Sequence, residues 1–383
     1  MLNREMIAEF RRDPVSYLDR AFPAAGDAFW LPSRQLCVAE PAMARSILIN
    51  GDGLYEQHAD FFQTRRGVFG PREAQIQIGR SARTLLRGYL LANADRLAES
   101  VRRLPRSSEW PDAGNRLVYR HLVDILISPD SPAPLRGMID AVLERAVLAG
   151  ARQRYSRLRR TVFRFRVERM LARAVEERRA RGVGEEPVDL LDVVVRGGGP
   201  DASIADLAEV FQSFIFSIGG SVGFVLGWSV WLLGTNPRTE APLASVVMEA
   251  LRLWPVAWML ARQPTRPHEV AGIEVTPQDL VVVCPYVVHR HPRYWDDPAS
   301  FRPERWAGSP DLQAFIPFGW GPHTCVAGSL STQLVEDILK TLLDGHELTV
   351  APRETRPCVG PALAPPRFTL DLHATASKPG ERR

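Results

Sequence analysis

The chain has 383 residues, 45% hydrophobic and 24% charged, which is enough to bury a large core and argues against disorder away from the ends. Its formal net charge is +4, and Lys340 and Lys378 are the only lysines among 48 basic residues; so modest an excess says little about fold but can steer an acidic partner to one face. The four cysteines, Cys37, Cys284, Cys325 and Cys358, lie far apart with no paired spacing, so neither a zinc site nor a disulfide framework is indicated and a reducing compartment is expected.

In chain order, the opening MLNREMIAEFRRDPVSYL is too charged for a signal peptide or an anchor, so a cytoplasmic protein is expected. PVSYLDRAF is amphipathic, and AFWLP and RQLCVAE, joined by Ser33 and Arg34, predict a short hairpin. The segment from Gly51 to Gly79 has no clear period and reads as loop with short helices, the irregular kind of stretch that lines ligand pockets. Helix is predicted from Arg80, broken by loops at LPRSSEWPDAG and SPDSPAPLRG. Residues 151–182 are dense in arginine, yet Leu158, Val162, Phe165 and Ala172 recur at helical spacing. With no aromatic-plus-basic module beside them, they predict an amphipathic helix with a solvated polar side rather than a nucleic-acid surface.

Between Glu209 and Arg238 there is no charge, and Gly219, Gly223 and Gly227 repeat every four residues. That is the pattern of a membrane helix with a dimerising face, and equally of a helix buried on all sides. After it, Glu249 and Arg252 in EALRLWP stand one helical turn apart, so their side chains can meet. IEVTPQDLVVVCPY, and LTVAPRETRPCVG through FTLDLHA, are strand-like and predict a sheet-containing lobe; ATASKPGERR reads as a frayed tail.

The organising stretch is 315–328, FIPFGWGPHTCVAG, where Cys325 follows Phe318, Gly319, Gly321, Pro322 and His323. Glycine lets backbone approach a bulky planar group, and a cysteine thiolate is a strong electron-donating ligand for iron. A lone cysteine is ordinarily a small buried hydrophobe. Here it follows two further signals in order, EALRLWP and FRPERW (Phe301 to Trp306). The three together resemble the cytochrome P-450 superfamily, whose haem-binding loop carries the proximal cysteine thiolate. Many members have glycine two residues after that cysteine, where this chain has Ala327 followed by Gly328.

The resemblance implies a mainly α chain with a smaller β-rich lobe, in the cytochrome P-450 fold, with haem between a long central helix and the cysteine loop. It implies one domain over 1–383, with the β-rich lobe from about 27–50 plus 256–288, the helical lobe from most of the rest, and a tail at 374–383. Haem b is the implied cofactor, its iron on Cys325, with Phe318 and Gly321 shaping the loop and His323, Arg262 and Arg83 facing the propionates. Gly79 stands where the family often has His or Trp. Glu249, Arg252 and Arg305 are implied as a structural brace, and the uncharged stretch as a buried central helix rather than a membrane span. Phe61, Phe62, Ile76, Phe216, Val256, Trp258 and Met259 are implied pocket residues; their apolar character suggests a mostly hydrophobic small molecule.

Monooxygenases of this family typically carry an acid followed by threonine in the central helix, which relay protons during dioxygen activation. Here Gly220 takes the acid position and Ser221 the alcohol position. Glycine carries no proton, so delivery needs water, substrate or another side chain. A monooxygenase of bacterial specialised metabolism, fed by NAD(P)H through ferredoxin and ferredoxin reductase, is the first expectation. The alternative is an atypical enzyme using peroxide or performing coupling, cyclisation, desaturation or dehydration. A non-catalytic haem or ligand-binding protein stands last. No nucleic-acid or membrane partner is expected.

Overall fold

The computed structural model describes residues 4–148, 156–182, 184, 186–308 and 312–375. Most of the tail read from sequence, from 376 onward, lies outside them. The chain divides into two units, Met1–Asp60 with Thr239–Cys325 and Cys358–Ala364, and Phe61–Arg238 with Val326–Pro357 and Pro365–Arg383.

The first unit is built on a four-stranded sheet in the spatial order Ala28–Leu31, Gln35–Val38, Leu280–Val283, Leu260–Arg262. The first two strands form the predicted hairpin, with Ala28 opposite Val38 and Leu31 opposite Gln35. Ser33 and Arg34 turn it with φ of 74° and 58°, two successive left-handed residues whose twist matches that of the strands. Gln35–Val38 then pairs in parallel with Leu280–Val283, bringing residues from opposite ends of the sequence together. Leu36, Val38, Val281 and Val283 pack with Ala44, Ile47 and Leu48 of the helix Pro41–Ile49 and with Ile316, just ahead of the cysteine loop. The loop is thereby anchored at its entry to the core of this unit.

The second unit is mostly helical. Its first long helix, Arg72–Ala92, starts eight residues earlier than the sequence suggested. Its buried positions include Ala74, Ile78, Ala82 and Leu86, which recur every four residues, but Gln75 and Gly79 fill buried places too and mask the apolar stripe. A three-stranded sheet, His346–Pro352, Phe368–Ala374, Ser107–Trp110, closes one part of the unit.

The uncharged stretch forms one helix, Ile204–Thr235, with a wider π-helical turn at Ser217–Ser221. It is long and apolar enough to cross a membrane, and two thirds of its most apolar window is buried within the structure (67%). The glycine repeat packs inside the same chain. A Cβ on Gly223 would lie 2.4 Å from Asn115 Nδ2 and 2.7 Å from Asn115 Cα, so only glycine lets the helix Asp112–Leu126 approach this closely.

The arginine-rich helix, Arg157–Arg181, corrects the sequence reading of its faces. Its core face carries Val167, Leu171, Ala174, Val175 and Arg178. Leu158, Val162 and Phe165, expected inward, are 74%, 51% and 64% exposed. Phe165 and Val167 are two residues apart, about 200° around a helix, so the two stripes cannot both face the core. Buried Arg178 is what hid the true face from a hydropathy count: it is held by Asp189 (2.7 Å) and Asp192.

Candidate functional site

In the first unit the cysteine loop is fixed from behind by a buried histidine. The Ile316 N–H donates to His289 Nε2 (2.9 Å), and His289 Nδ1 lies 3.1 Å from the Arg252 carbonyl. This pair of bonds requires the proton on Nδ1 and a neutral ring. Burial, with the charges of Arg252 and Arg290, brings His289 down to about 3. Beyond Ile316, Gly319 and Gly321 turn with φ of 72° and 74°. A Cβ on Gly321 would also meet Ile49 Cγ1 at 2.9 Å and its Cα at 3.4 Å, so a side chain is excluded there by both conformation and space. The Cys325 N–H donates to the Phe318 carbonyl (3.0 Å), closing the loop with half-buried Phe318 at its base.

Cys325 is exposed, whereas Cys37 and Cys284 are wholly buried. Burial, with Cys284 beside it, pushes the Cys37 thiol well up, so it is the inert kind of cysteine. Cys358 is half-buried.

Glu249 and Arg252 are both wholly buried and joined by two bonds, Nε to Oε2 (2.9 Å) and Nη2 to Oε1 (2.8 Å). Arg305 Nε reaches the same Oε1 at 3.1 Å, so the three residues expected to form a brace do come together. Glu249 also accepts from the Arg302 N–H (3.0 Å) and Trp306 Nε1 (3.0 Å), and Arg252 donates to the carbonyls of His289, Pro298 and Ser300. Sequence reasoning missed His289 and Trp306. The aromatic that ends FRPERW was the available signal for one; for the other, the HRHP run carried none.

Arg262 is 4% exposed and pairs with Asp60 (3.2 Å). Burial pushes the Asp60 carboxyl up, but the hydrogen bond from His58 and the charge of Arg262 outweigh it and bring it down to about 2. Arg262 thus already holds a carboxylate, the chemistry a haem propionate shares. His323 is half-buried at the end of a short turn, Gly321–His323.

In the second unit Arg83 is exposed and donates to the Val326 carbonyl and Ser329 Oγ, both at 3.2 Å. Gly79, one turn earlier, would set a Cβ 3.2 Å from Val326 Cγ1; the space of a larger residue is taken by Val326.

Gly220 and Ser221 lie in the π-helical turn of the central helix. Gly220 is buried, and a Cβ there would meet Val147 Cγ1 at 3.2 Å and Phe224 at 3.7 Å, so the acid position is backed by hydrocarbon. Ser221 is half-buried, and Phe216, the residue just ahead of the turn, is exposed. Asn115, wholly buried, donates Nδ2–H to the carbonyls of Gly219 (2.8 Å) and Gly220 (3.0 Å). Both amide hydrogens are used on the widened turn. Nothing in the run DAGNRL marked Asn115 as its partner.

The expected pocket residues divide. Phe61, Phe62, Ile76 and Phe216 belong to the second unit, where Phe61 packs edge-on against Phe62 (5.1 Å) and Phe214 (4.7 Å). Ile76 and Phe216 are exposed and outside that cluster. Val256, Trp258 and Met259 belong to the first unit, where Trp258 Nε1 donates to the Gly360 carbonyl (2.9 Å) and the Val256 carbonyl accepts from Leu363 N–H (3.0 Å). These bonds give Val256 and Trp258 a part in holding the Cys358–Ala364 segment.

No group of three His, Cys, Asp or Glu gathers as a metal site among the described residues. An accessible single thiol on a loop with two left-handed glycines fits a metal already held by a macrocycle, which asks one ligand of the protein.

The Cytochrome P-450 family model matches residues 242–368. Cytochrome P-450 4V2 of Mus musculus is 29% identical over 218 residues, 45% of this chain and 42% of that protein; cyclooctatin synthase of Streptomyces melanosporofaciens is 33% identical over 129 residues, 26% and 28% of the two chains. The match thus spans less than half of those relatives. Over almost the whole chain, the fold is that of a zebra fish cytochrome P-450 solved with progesterone (TM-score 0.73, 20% identity, 94% and 99% covered). It is equally that of a mutant of P-450 EryK in complex with erythromycin B (TM-score 0.73, 17% identity, 98% and 99% covered). Residues 242–368 match the cytochrome P-450 family, and the chain has the cytochrome P-450 fold over almost its whole length.

Proposed function

We propose that this protein is a haem-thiolate monooxygenase acting on a mostly hydrophobic small molecule, as a cytoplasmic enzyme of bacterial specialised metabolism, with electrons from NAD(P)H through ferredoxin and ferredoxin reductase. The observation that carries the reading is the accessible Cys325 on a loop fixed by Gly321, the Phe318 carbonyl and His289. Cyclooctatin synthase and the erythromycin B complex support the natural-product setting by likeness alone.

Haem, held through Cys325, supplies the redox chemistry. The rest falls to the chain. The loop keeps the Cys325 thiol accessible; Arg262, His323 and Arg83 are the proposed carboxylate partners, with Asp60 the present occupant of Arg262. Aromatic Phe61 and Phe62 exclude water and favour an apolar substrate. Ser221 can hold a proton at Oγ, while Gly220 holds none and faces Val147. That apolar backing favours a second reading, in which the proton comes from substrate or water, or the reaction is peroxide-driven, a coupling, cyclisation, desaturation or dehydration.

The test begins with Cys325→Ala. The parent should give the thiolate-type reduced-CO absorbance, and the variant should lose it while Cys37→Ser and Cys284→Ser keep it; retention by Cys325→Ala with full haem content would defeat the proposal. Turnover with ferredoxin, reductase and dioxygen, compared with peroxide alone, then decides between the two readings.

A further inference from the structure

Between the helix Ala133–Val142, with its continuation Leu143–Val147, and the helix Arg157–Arg181, the second unit has an open groove of about 520 Å³. Arg166, Arg169 and Arg173 line it from one helix, at spacings of three and four that place them on one face. Arg145 lines it from the other wall, its guanidinium 5.2 Å from the centre of the Phe163 ring. Met138 and Met170 supply apolar surface between the charges. Among the described residues no acidic one lines the groove.

Of the neighbouring acids, Glu176 and Glu177 stand one turn beyond Arg173, exposed and outside the groove lining, and the others are committed elsewhere. Glu144 pairs with Arg116, Glu168 with Arg65 and Arg164, and Asp189 and Asp192 with Arg178, while Asp140 accepts from the Tyr119 hydroxyl. Among the described residues no ion pair joins Arg145, Arg166, Arg169 or Arg173 to a carboxylate. Like charges one turn apart repel, so four guanidiniums around one hollow favour a counter-charge from solution. Their planar forks suit phosphate and carboxylate oxygens, and methionine accommodates a flexible chain.

We propose that this groove binds an amphipathic anion, a phosphate monoester or carboxylate carried on a linear apolar stem. The proposal uses none of the residues assigned to haem or to the reaction and stands without them. Calorimetric titration of the haem-loaded protein with monomeric dodecyl phosphate tests it, beside inorganic phosphate and an uncharged dodecyl glycoside. Dodecyl phosphate should bind saturably, one per chain and at least tenfold more tightly than either control. Arg166→Gln with Arg169→Gln should weaken it at least tenfold, whereas Arg157→Gln with Arg160→Gln, the same charge change outside the groove, should not. Co-sedimentation with phosphatidic acid vesicles identifies the source: loss of vesicle binding in the groove variant points to a bilayer headgroup, and monomer binding without vesicle binding to a free amphiphile. Absence of saturable binding, equal weakening by the two double variants, or inorganic phosphate binding as tightly as the amphiphile would overturn the proposal.

Discussion

At the scale of single residues the chemistry turns on Gly220 and Ser221. Serine offers the central turn one hydroxyl, and glycine is pressed by Val147 where an acid would need room. Ser221→Ala should cost about a hundredfold to ten-thousandfold in turnover, with more peroxide released, if that hydroxyl takes part in proton delivery. Unchanged rate and coupling would transfer the proton to substrate or water. Gly220→Asp alone should perturb packing, since its Cβ has 3.2 Å to the Val147 methyl; combined with Val147→Ala it should be tolerated. The informative measurement is the coupling of reductant consumption to product in the double variant.

At the scale of elements, two buried polar anchors do work that helix propensity cannot. Asn115 ties the helix Asp112–Leu126 to the widened turn of the central helix. Asn115→Asp keeps the shape but removes both donors and sets acceptors against two carbonyls; leaving buried groups unsatisfied costs about 1–3 kcal/mol each. A lower midpoint in thermal unfolding is expected, and an unchanged midpoint would mean the turn holds itself. Glu249 joins the helix Leu243–Leu253 to the segment 302–306 through Arg252, Arg305, Trp306 and the Arg302 N–H. Removing one member of such a buried pair costs roughly 3–5 kcal/mol, a large share of a domain's margin. Glu249→Ala should therefore yield little soluble, haem-loaded protein; normal expression and loading would refute the brace.

For the molecule as a whole, the buried histidines set an acid limit. Burial, with Arg96 nearby, brings His121 down to about 4, and His289 stands at about 3. The unfolded chain takes up protons at these sites near 6.5 and the folded chain does not, so their contribution is complete above pH 6.5 and declines as pH falls toward 4. Below about 3.8 the lowered carboxyl of Asp60 adds a loss of the same sign. The urea midpoint should fall steadily from pH 7 to 5, and His121→Phe should flatten that slope. A midpoint flat across this range would contradict the neutral, buried histidines.

The sequence by itself determined the cysteine loop, the Ser33–Arg34 hairpin, the Glu249–Arg252 pair and the place of the central helix. Each rests on local chemistry: residue type, turn preference, or spacing of a single helical turn. Tertiary structure alone decided the rest. The glycine repeat could serve a membrane dimer or a packed core until Asn115 was found against Gly223. The basic helix had two apolar stripes, and the one that won was the one whose Arg178 found Asp189 and Asp192. His289 gained its task only when the folded chain brought Ile316 to it across 27 residues. Burial, carbonyl satisfaction and ion pairing are properties of neighbours in space, and no window of sequence contains them.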